Sequence, residues 1–259
     1  MQISYAQSLP QRLYGYVLVP VLVLAGTMLL LQGYAIAAPE HAVTLSNIFY
    51  ALLATFGRLW VAYCLALIFA IPMGLLVTHN KLAEQIFLPF FDILQSLPVL
   101  AFFPVIIVFF VHWGLYNSAA IFVLFITMLW SIVFSLVGGL HAIPQEIKYA
   151  GKIFGLTGLT YIEKILLPAS VPFLITGSLL AWASGWNIVI VAEVLHTYLP
   201  GSTTSSDLFG IGSVLVNSSA SGQQQTFLTA ILIMIVAIAL LNLFVWQRLL
   251  KYAERYKFE

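Results

Sequence analysis

Charged side chains are scarce in this sequence: Asp, Glu, Lys and Arg together make up 7% of its 259 residues. An average soluble domain carries about 25% charged residues, which supply much of its polar surface. Hydrophobic residues reach 62%, and they arrive in runs of about 20 or more, the length that crosses a bilayer as helix. A backbone in lipid must satisfy its own hydrogen bonds, which favours helices. The composition excludes a soluble fold and predicts an all-α membrane protein.

Cysteine is almost absent, and so are the short motifs of catalysis and nucleotide binding. The single Cys64 excludes an intrachain disulfide and a multi-thiolate metal site. The sequence contains no Gly-x4-Gly-Lys-Ser/Thr loop, no Gly-x-Ser-x-Gly and no His-Glu-x-x-His. With a net charge of +1 and no basic face interleaved with aromatics, nucleic acid is excluded as a partner. We therefore expect no catalytic residue, metal site or cofactor in this chain.

Six apolar segments are long enough to be membrane spans. They cover residues 14–37, 47–77, 86–112, 116–139, 166–195 and 226–249. The first span ends in Ala35-Ile36-Ala37, which resembles a signal-peptidase site, but it is longer than the roughly 7–15 apolar residues of a signal peptide. We expect it to be retained. The chain then divides into 1–46 (N-terminal segment, first span and outside loop), a core of five spans over 47–250, and a tail, 251–259.

The basic residues are distributed on one side of this six-span arrangement. The nine on that side are Arg12, Lys81, Lys148, Lys152, Lys164, Arg248, Lys251, Arg255 and Lys257. The loops at 38–46, 113–115 and 196–225 carry none. By the positive-inside rule, the basic side faces the cytoplasm, so both termini are predicted to be cytoplasmic. The tenth basic residue, Arg58, lies within the second span.

The third span contains three prolines and two polar residues. Pro89, Pro98 and Pro104 interrupt it, and Gln95-Ser96 stand just before the second proline. Proline removes a backbone donor and frees carbonyl groups, so we expect a broken helix. Its exposed groups either line a water-filled path or mark a packing kink.

Polar and aromatic residues in two other spans are further candidates for a translocation path. Arg58 either attracts an anion, neutralises Glu193 or extends to the membrane surface. In the fifth span Trp182, Trp186 and Glu193 share a helix face at spacings of four and seven, with Asn187 beside them. This face suits an aromatic gate, but tryptophan is also favoured at membrane boundaries, so the alternative is interfacial anchoring together with helix packing. Both interpretations remain open at this stage.

The loop at 200–225 is rich in Ser, Thr, Gly and Gln, with Asp207 as its only charge. Such a composition is typical of a flexible linker. The apolar stretch from Leu208 to Gly212 would instead let the loop dock on the protein.

The loop at 144–164 has a helical pattern. Its apolar and small residues repeat at i, i+3, i+4 and i+7 as Ile147, Ala150, Gly151 and Phe154. Gly155 then permits a left-handed turn, and the chain continues through Pro168 into the fifth span. The pattern predicts a helix, a turn and a second helix on the cytoplasmic face.

This loop resembles the EAA loop of binding-protein-dependent ABC importer permeases. The family pattern is E-A-A, three residues, G, nine residues and I-x-L-P. It is matched here by Ala150-Gly151, Gly155 and Ile165-Leu166-Leu167-Pro168. Tyr149 stands where the pattern has Glu and Gly151 replaces its second Ala, while Glu146 supplies an acidic residue three positions earlier.

The resemblance extends over residues 50–250. The segments concerned are Ser96–Pro104, Pro168–Pro172 with Gly177, Gly185-Trp186 and Ala192-Glu193. They are similar to the branch of this family that imports nitrate, sulfonates, taurine and bicarbonate. The resemblance implies a type I ABC importer permease-like fold in a bacterial inner membrane.

The resemblance also implies partners and a cargo. The permease would pair with a second copy or a paralogue, two cytoplasmic ATPases would bind ATP, and an extracytoplasmic solute-binding protein would deliver a small anion such as nitrate, a sulfonate or bicarbonate. The loop would be the coupling helix that docks in an ATPase groove, with Ile147, Ala150 and Phe154 as anchors. The residues implied in ATPase coupling are Glu146, Ile147, Ala150, Gly151, Phe154, Gly155 and Pro168. The alternatives are a passive channel or secondary carrier, which would not need this loop, and an intramembrane hydrolase.

Overall fold

The computed structural model describes residues 44–196 and 207–256, and the predicted first span, 14–37, lies outside them. Over the described residues the regular structure is helical throughout. Two short 3-10 turns, Val99–Phe102 and Val111–Trp113, flank the third helix. The helices are α1 (Leu45–His79), α2 (Lys81–Ser96), α3 (Phe103–Phe109), α4 (Tyr116–Ala142), α5 (Gln145–Ile153), α6 (Gly158–Glu193), α7 (Ile211–Ala220) and α8 (Gln224–Tyr256).

In the described part of the chain four helices, α1, α4, α6 and α8, are long and apolar enough to cross a membrane. They confirm the predicted spans at 47–77, 116–139, 166–195 and 226–249. The helix α6 begins earlier than its predicted span, because a π-helical turn, Ile162–Leu166, joins the short helix after the loop to the span without a break. The second helix of the loop and the span are therefore one continuous element.

The predicted span at 86–112 is not one straight helix. The helix α2 and the stretch Val99–Trp113 are bent by 98° at Leu97-Pro98. Leu97 is extended there (ψ 132°), as expected of a residue that precedes proline. The bent pair is a broken span or a re-entrant segment, and with it the described helices make up to five spans. The six-span count, which includes 14–37, stays a prediction.

The helix α4 lies at the centre of the fold, packed between α1 and α6. It is buried at most of its apolar positions. Small residues bring α4 and α6 close together: a Cβ added at Gly177 would lie 2.7 Å from the Cβ of Ser135, and one at Gly139 would overlap Phe173. Such close helix contacts through small residues are typical of membrane bundles. This packing positions the end of α6, where the polar residues converge.

Candidate functional site

A fully buried ion pair joins α1 to the end of α6. Arg58 Nη1 lies 2.7 Å from Glu193 Oε1, and each side chain is only 1% exposed. A buried charge is strongly unfavourable unless it is paired and hydrogen-bonded. Of the three roles considered for Arg58, neutralisation of Glu193 is the one that this contact supports, and among the described residues the Arg58 side chain is buried.

The guanidinium of Arg58 uses its remaining donors on two further elements. Arg58 Nε donates to Asn117 Oδ1 at 2.8 Å, at the start of α4. Arg58 Nη2 donates to the carbonyl oxygen of Phe209 at 2.9 Å, just before α7. One side chain therefore bonds to α4, to the end of α6 and to the segment that returns from the loop.

The carboxylate of Glu193 is bonded as fully as the guanidinium. The Thr55 hydroxyl donates to Oε1 at 2.7 Å, and the backbone N–H of Gly212 donates to Oε2 at 2.8 Å. The N–H of Ile211 donates to the Thr55 hydroxyl at 2.9 Å. Two of the backbone donors in the first turn of α7 are thereby satisfied by side chains. We call Thr55, Arg58, Asn117 and Glu193 the buried polar cluster.

The loop at 200–225 docks on the protein, at least over its described residues. Leu208 and Ile211 are buried, and the N–H of Leu208 donates to the carbonyl oxygen of Glu193 at 3.0 Å. At Gly210 an added Cβ would overlap the Glu193 carboxylate, so only glycine allows this approach. Of the two interpretations given to this loop, docking is the one observed.

A second polar contact, between His196 and Asp207, joins the end of α6 to the same docked segment. His196 Nδ1 lies 2.7 Å from Asp207 Oδ2, and the His196 backbone N–H donates to Oδ1 at 3.0 Å. The Asp207 side chain is fully buried. Sequence reasoning missed this pair, as it missed Thr55 and Asn117 as partners of Arg58. The available signals were a single acidic residue in an otherwise uncharged loop and a threonine three positions before Arg58 on the same helix face.

The aromatic residues of α6 separate into different environments. Trp182 is 2% exposed and packs against rings of α1 and α8, which agrees with the helix-packing interpretation. The ring centroids nearest to it belong to Phe56 (5.3 Å), Tyr63 (5.8 Å), Trp60 (6.2 Å) and Trp246 (6.4 Å). Trp186 is half-buried and Asn187 is exposed. Within the described ranges, the indole N–H groups of Trp182 and Trp186 are buried and have no hydrogen-bond partner.

The two polar residues of the third predicted span stand apart from the buried polar cluster. Gln95 Nε2 donates to Asp92 Oδ1 at 2.8 Å, and the Ser96 hydroxyl donates to the Asp92 carbonyl oxygen at 2.7 Å. Both bonds stay inside α2, and both side chains are exposed at the bend. The tentative path residues are therefore not one site: Arg58 and Glu193 form a buried pair, and Gln95 and Ser96 lie at an exposed break.

The predicted helix and turn of the loop at 144–164 are present. The helix α5 is followed by Gly155 in the left-handed region (φ 67°), and Gly158 (φ 56°) adds a second such residue where α6 begins. Gly151 is buried against α6, where an added Cβ would lie 2.9 Å from the ring of Tyr161. The glycine at this position lets α5 pack closely on the start of α6.

The apolar residues of α5 point to two sides. Ile147 is half-buried against the chain's own helices and Ala150 is also half-buried, whereas Phe154 and Ile153 are 80% and 82% exposed. Ile147, one of the anchors implied by the resemblance, is thus partly covered by the chain itself, and Ile153, which the helical pattern did not include, is exposed beside Phe154. Tyr149 is exposed as well. We call Tyr149, Ile153 and Phe154 the exposed apolar cap.

The remaining residues implied in coupling lie on either side of this cap. Glu146 is exposed in the first turn of α5, and Pro168 is half-buried where α6 leaves its π-helical turn.

Within residues 44–196 and 207–256, no three His, Cys, Asp or Glu side chains come together as a metal site would require.

Comparisons with known proteins agree on one family. The family model described as "Binding-protein-dependent transport system inner membrane component" matches residues 66–252. A nitrate import permease protein of Leptolyngbya laminosa is 31% identical over 196 residues, covering 76% of this chain and 66% of the relative. A bicarbonate transport system permease protein of Synechococcus elongatus is 27% identical over 197 residues, covering 76% and 65%. The chain thus spans just under two thirds of the length of these relatives.

A solved structure shares the fold. It is an inward-facing methionine ABC transporter, and its chain superposes with a TM-score of 0.65 at 16% sequence identity. The match covers 81% of this chain and 97% of the other.

Proposed function

Because this chain belongs to the family of binding-protein-dependent transport system inner membrane components, we propose that it is the permease subunit of an ATP-driven importer of a small anion. It is an inner-membrane protein and not itself an enzyme. The observation that carries the proposal is the loop at 144–164. Its helix, its left-handed glycine and its unbroken continuation into α6 form an arrangement suited to transmitting force from a cytoplasmic partner to a span.

The proposed partner at this loop is an ATPase subunit, which binds the ATP that this chain does not. The exposed apolar cap presents Ile153 and Phe154 almost fully to solvent. A fully buried side chain of this size contributes roughly 1.5–3 kcal/mol, so an apolar groove in the partner would gain from both. Packing of Gly151 against Tyr161 ties α5 to α6, so a push on the cap moves the span.

The proposed orientation places α5 and the end of α8 in the cytoplasm. The basic residues of the described loops and helix ends, from Lys81 to Arg255, fall on that side, in agreement with the positive-inside rule. Cysteines placed at Ser205 and Lys152 in a Cys64-free chain should label from outside and inside, respectively.

The proposed assembly contains a second permease copy or a paralogue, and a solute-binding protein outside. The helix α2 buries only Phe91, and Ile86, Phe90 and Ile93 are among its large exposed apolar side chains. Lipid and a second permease would cover these faces.

The proposed cargo is a small anion of the nitrate or bicarbonate type. Two relatives are named for the import of nitrate and of bicarbonate, and this class is taken from them. The unpartnered indole donor of Trp186, a half-buried residue, is suited to contact an anion without placing a full positive charge on its path. The buried pair leaves no net charge at Arg58, so Arg58 itself does not hold the cargo.

The function is tested by co-purification with the ATPase and by anion uptake in proteoliposomes that contain the whole importer. The variant Phe154→Asp removes the largest residue of the exposed apolar cap and should abolish ATP-dependent uptake and ATPase association. The matched control Leu159→Asp changes another exposed apolar residue, beyond the turn, and should retain both. Full uptake by Phe154→Asp at equal membrane abundance would contradict the proposal and favour a channel or carrier.

A further inference from the structure

A cavity of about 280 Å³ opens at the α5 end of the bundle, away from the buried polar cluster. It is open to the surface and bordered by three elements: α5, the first turns of α6 and the end of α8. Its lining residues are Ile147, Lys164, Ile165, Pro168, Ala169, Arg255 and Tyr256. The cavity has no part in the proposed path.

The lining combines positive charge with an apolar wall. Lys164 and Arg255 come from two different helices, and in the part of the chain that the structure describes no carboxylate lies within ion-pair distance of either. The guanidinium of Arg255 stands 5.9 Å above the ring of Tyr252, a contact that orients the group without neutralising it. The phenol of Tyr256 lies 2.9 Å from that of Tyr252, so it is held by the same ring that orients Arg255.

The neighbouring acidic residues lie outside the cavity lining. Glu146, Glu163 and Glu254 belong to the same elements and are exposed, as are Lys164 and Arg255, but none of the three carboxylates lines the cavity. The opposite wall is apolar, formed mainly by Ile147, Ile165 and the prolyl ring of Pro168. The site therefore suits a molecule with an anionic head and an apolar neck.

We propose that this cavity binds the phosphate headgroup of an anionic phospholipid from the cytoplasmic leaflet. Lys164 and Arg255 contact the phosphate, and the apolar wall packs against the glycerol and the first chain carbons. Basic pockets between membrane helices on the cytoplasmic side have the charge that such headgroups require.

The position of the site favours a lipid over a soluble phosphate. Arg248, Lys251 and Arg255 follow one another at i, i+3 and i+7, so they form one stripe that leads from the last apolar turns of α8 to the cavity. Arg248 and Lys251 are exposed. A lipid in the leaflet meets this stripe first and the cavity at its end.

Occupancy of the cavity would act on α5. Ile147 is the α5 residue in the lining, while the other walls belong to α6 and α8. A bound headgroup therefore braces α5 against both membrane helices. This lipid is distinct from the cargo. Of the proposed function, the inference depends only on the orientation of the chain.

The test measures lipid binding to the full chain purified with its ATPase partners. Short-chain phosphatidylglycerol and phosphatidylcholine are titrated separately, and bound lipid is counted by native mass spectrometry. We expect phosphatidylglycerol to bind and phosphatidylcholine not to bind. Each charge removed should weaken binding about fivefold, so Lys164→Gln/Arg255→Gln should lose about 25-fold.

Two variants control for net charge and for folding. Lys81→Gln/Lys148→Gln removes two positive charges outside the cavity and should bind as the unaltered chain does. Lys164→Arg keeps the charge and should retain binding. Equal affinity for phosphatidylglycerol in the two double variants would overturn the proposal, as would equal binding of the two lipids. If inorganic phosphate or glycerol phosphate binds as tightly as phosphatidylglycerol, the occupant is a soluble phosphate and the lipid assignment falls.

Discussion

Removing both charges of the Arg58–Glu193 pair should destabilise the chain far less than the two single removals added together. Each side chain is 1% exposed, so the partner left behind has no access to water. Arg58→Met leaves a buried carboxylate, and Glu193→Gln leaves a buried guanidinium. Breaking a buried pair in this way costs about 3–5 kcal/mol, which would make the two losses about 6–10 kcal/mol if they were independent.

The double variant Arg58→Met/Glu193→Gln should cost far less than that sum. It contains no buried charge, and the glutamine still offers an oxygen to the Gly212 N–H. Its main loss is the bonds that Arg58 no longer makes to the Asn117 side chain and to the Phe209 carbonyl oxygen. An unsatisfied buried polar group costs about 1–3 kcal/mol. A coupling energy of several kcal/mol between the two substitutions is therefore expected.

The assay is thermal unfolding of the purified chain in detergent, combined with hydrogen exchange. For a chain of this size about 2–4 °C is lost per kcal/mol, so each single variant should lower Tm by about 6–20 °C. Exchange should rise locally in residues 207–220, because their first turn is held by the buried polar cluster. Arg248→Met and Glu254→Gln, at exposed charges, should change stability by less than about 0.5 kcal/mol. Additive losses in the double variant, or unchanged exchange in 207–220, would refute this reasoning.

Three further outcomes follow from single contacts. Gly155→Val should strain the left-handed turn by about 1–2 kcal/mol and reduce both ATPase association and uptake, whereas Gly155→Asn should retain both. Normal uptake by the valine variant at equal abundance would show that the turn angle is unimportant. Gly210→Ala places a Cβ on the Glu193 carboxylate and should lower the free energy of unfolding by about 1–3 kcal/mol. The control Gly138→Ala, where the added Cβ meets open space, should not, so equal Tm values for the two variants would contradict the overlap. Trp186→Phe keeps a ring but removes the indole donor, and should raise KM for the transported anion without changing ATPase association; an unchanged KM would exclude this donor from the path.

Much of the fold was predictable from residue order alone. The thickness of the hydrocarbon sets the length of an apolar helix, so the spans at 47–77, 116–139 and 226–249 lie within a few residues of α1, α4 and the apolar part of α8. The break at Pro98 was likewise predictable, because proline acts on its own backbone and that of the residue before it. The turn at Gly155 follows from the same local logic. These features depend on neighbours in sequence and on the solvent.

The candidate site was only partly predictable, because its contacts join residues that are distant along the chain. Arg58 and Glu193 are separated by 135 positions, and the sequence left three roles open for Arg58. The pairing depends on α1 and α6 meeting and on the chain returning at Gly210, where only the absence of a Cβ makes room for the carboxylate.

Sequence by itself determined that this chain is a helical membrane protein with a helix–turn–helix loop, because lipid thickness, charge placement and glycine geometry act locally. Tertiary structure alone decided which side of each helix is covered. Ile147 and Phe154 belong to one helical pattern, yet one packs against the chain's own helices and the other is exposed. A short helix with apolar residues on two sides buries the side that a neighbouring helix covers. Here the neighbour is α6, and it can pack on α5 because Gly151 leaves room for the ring of Tyr161.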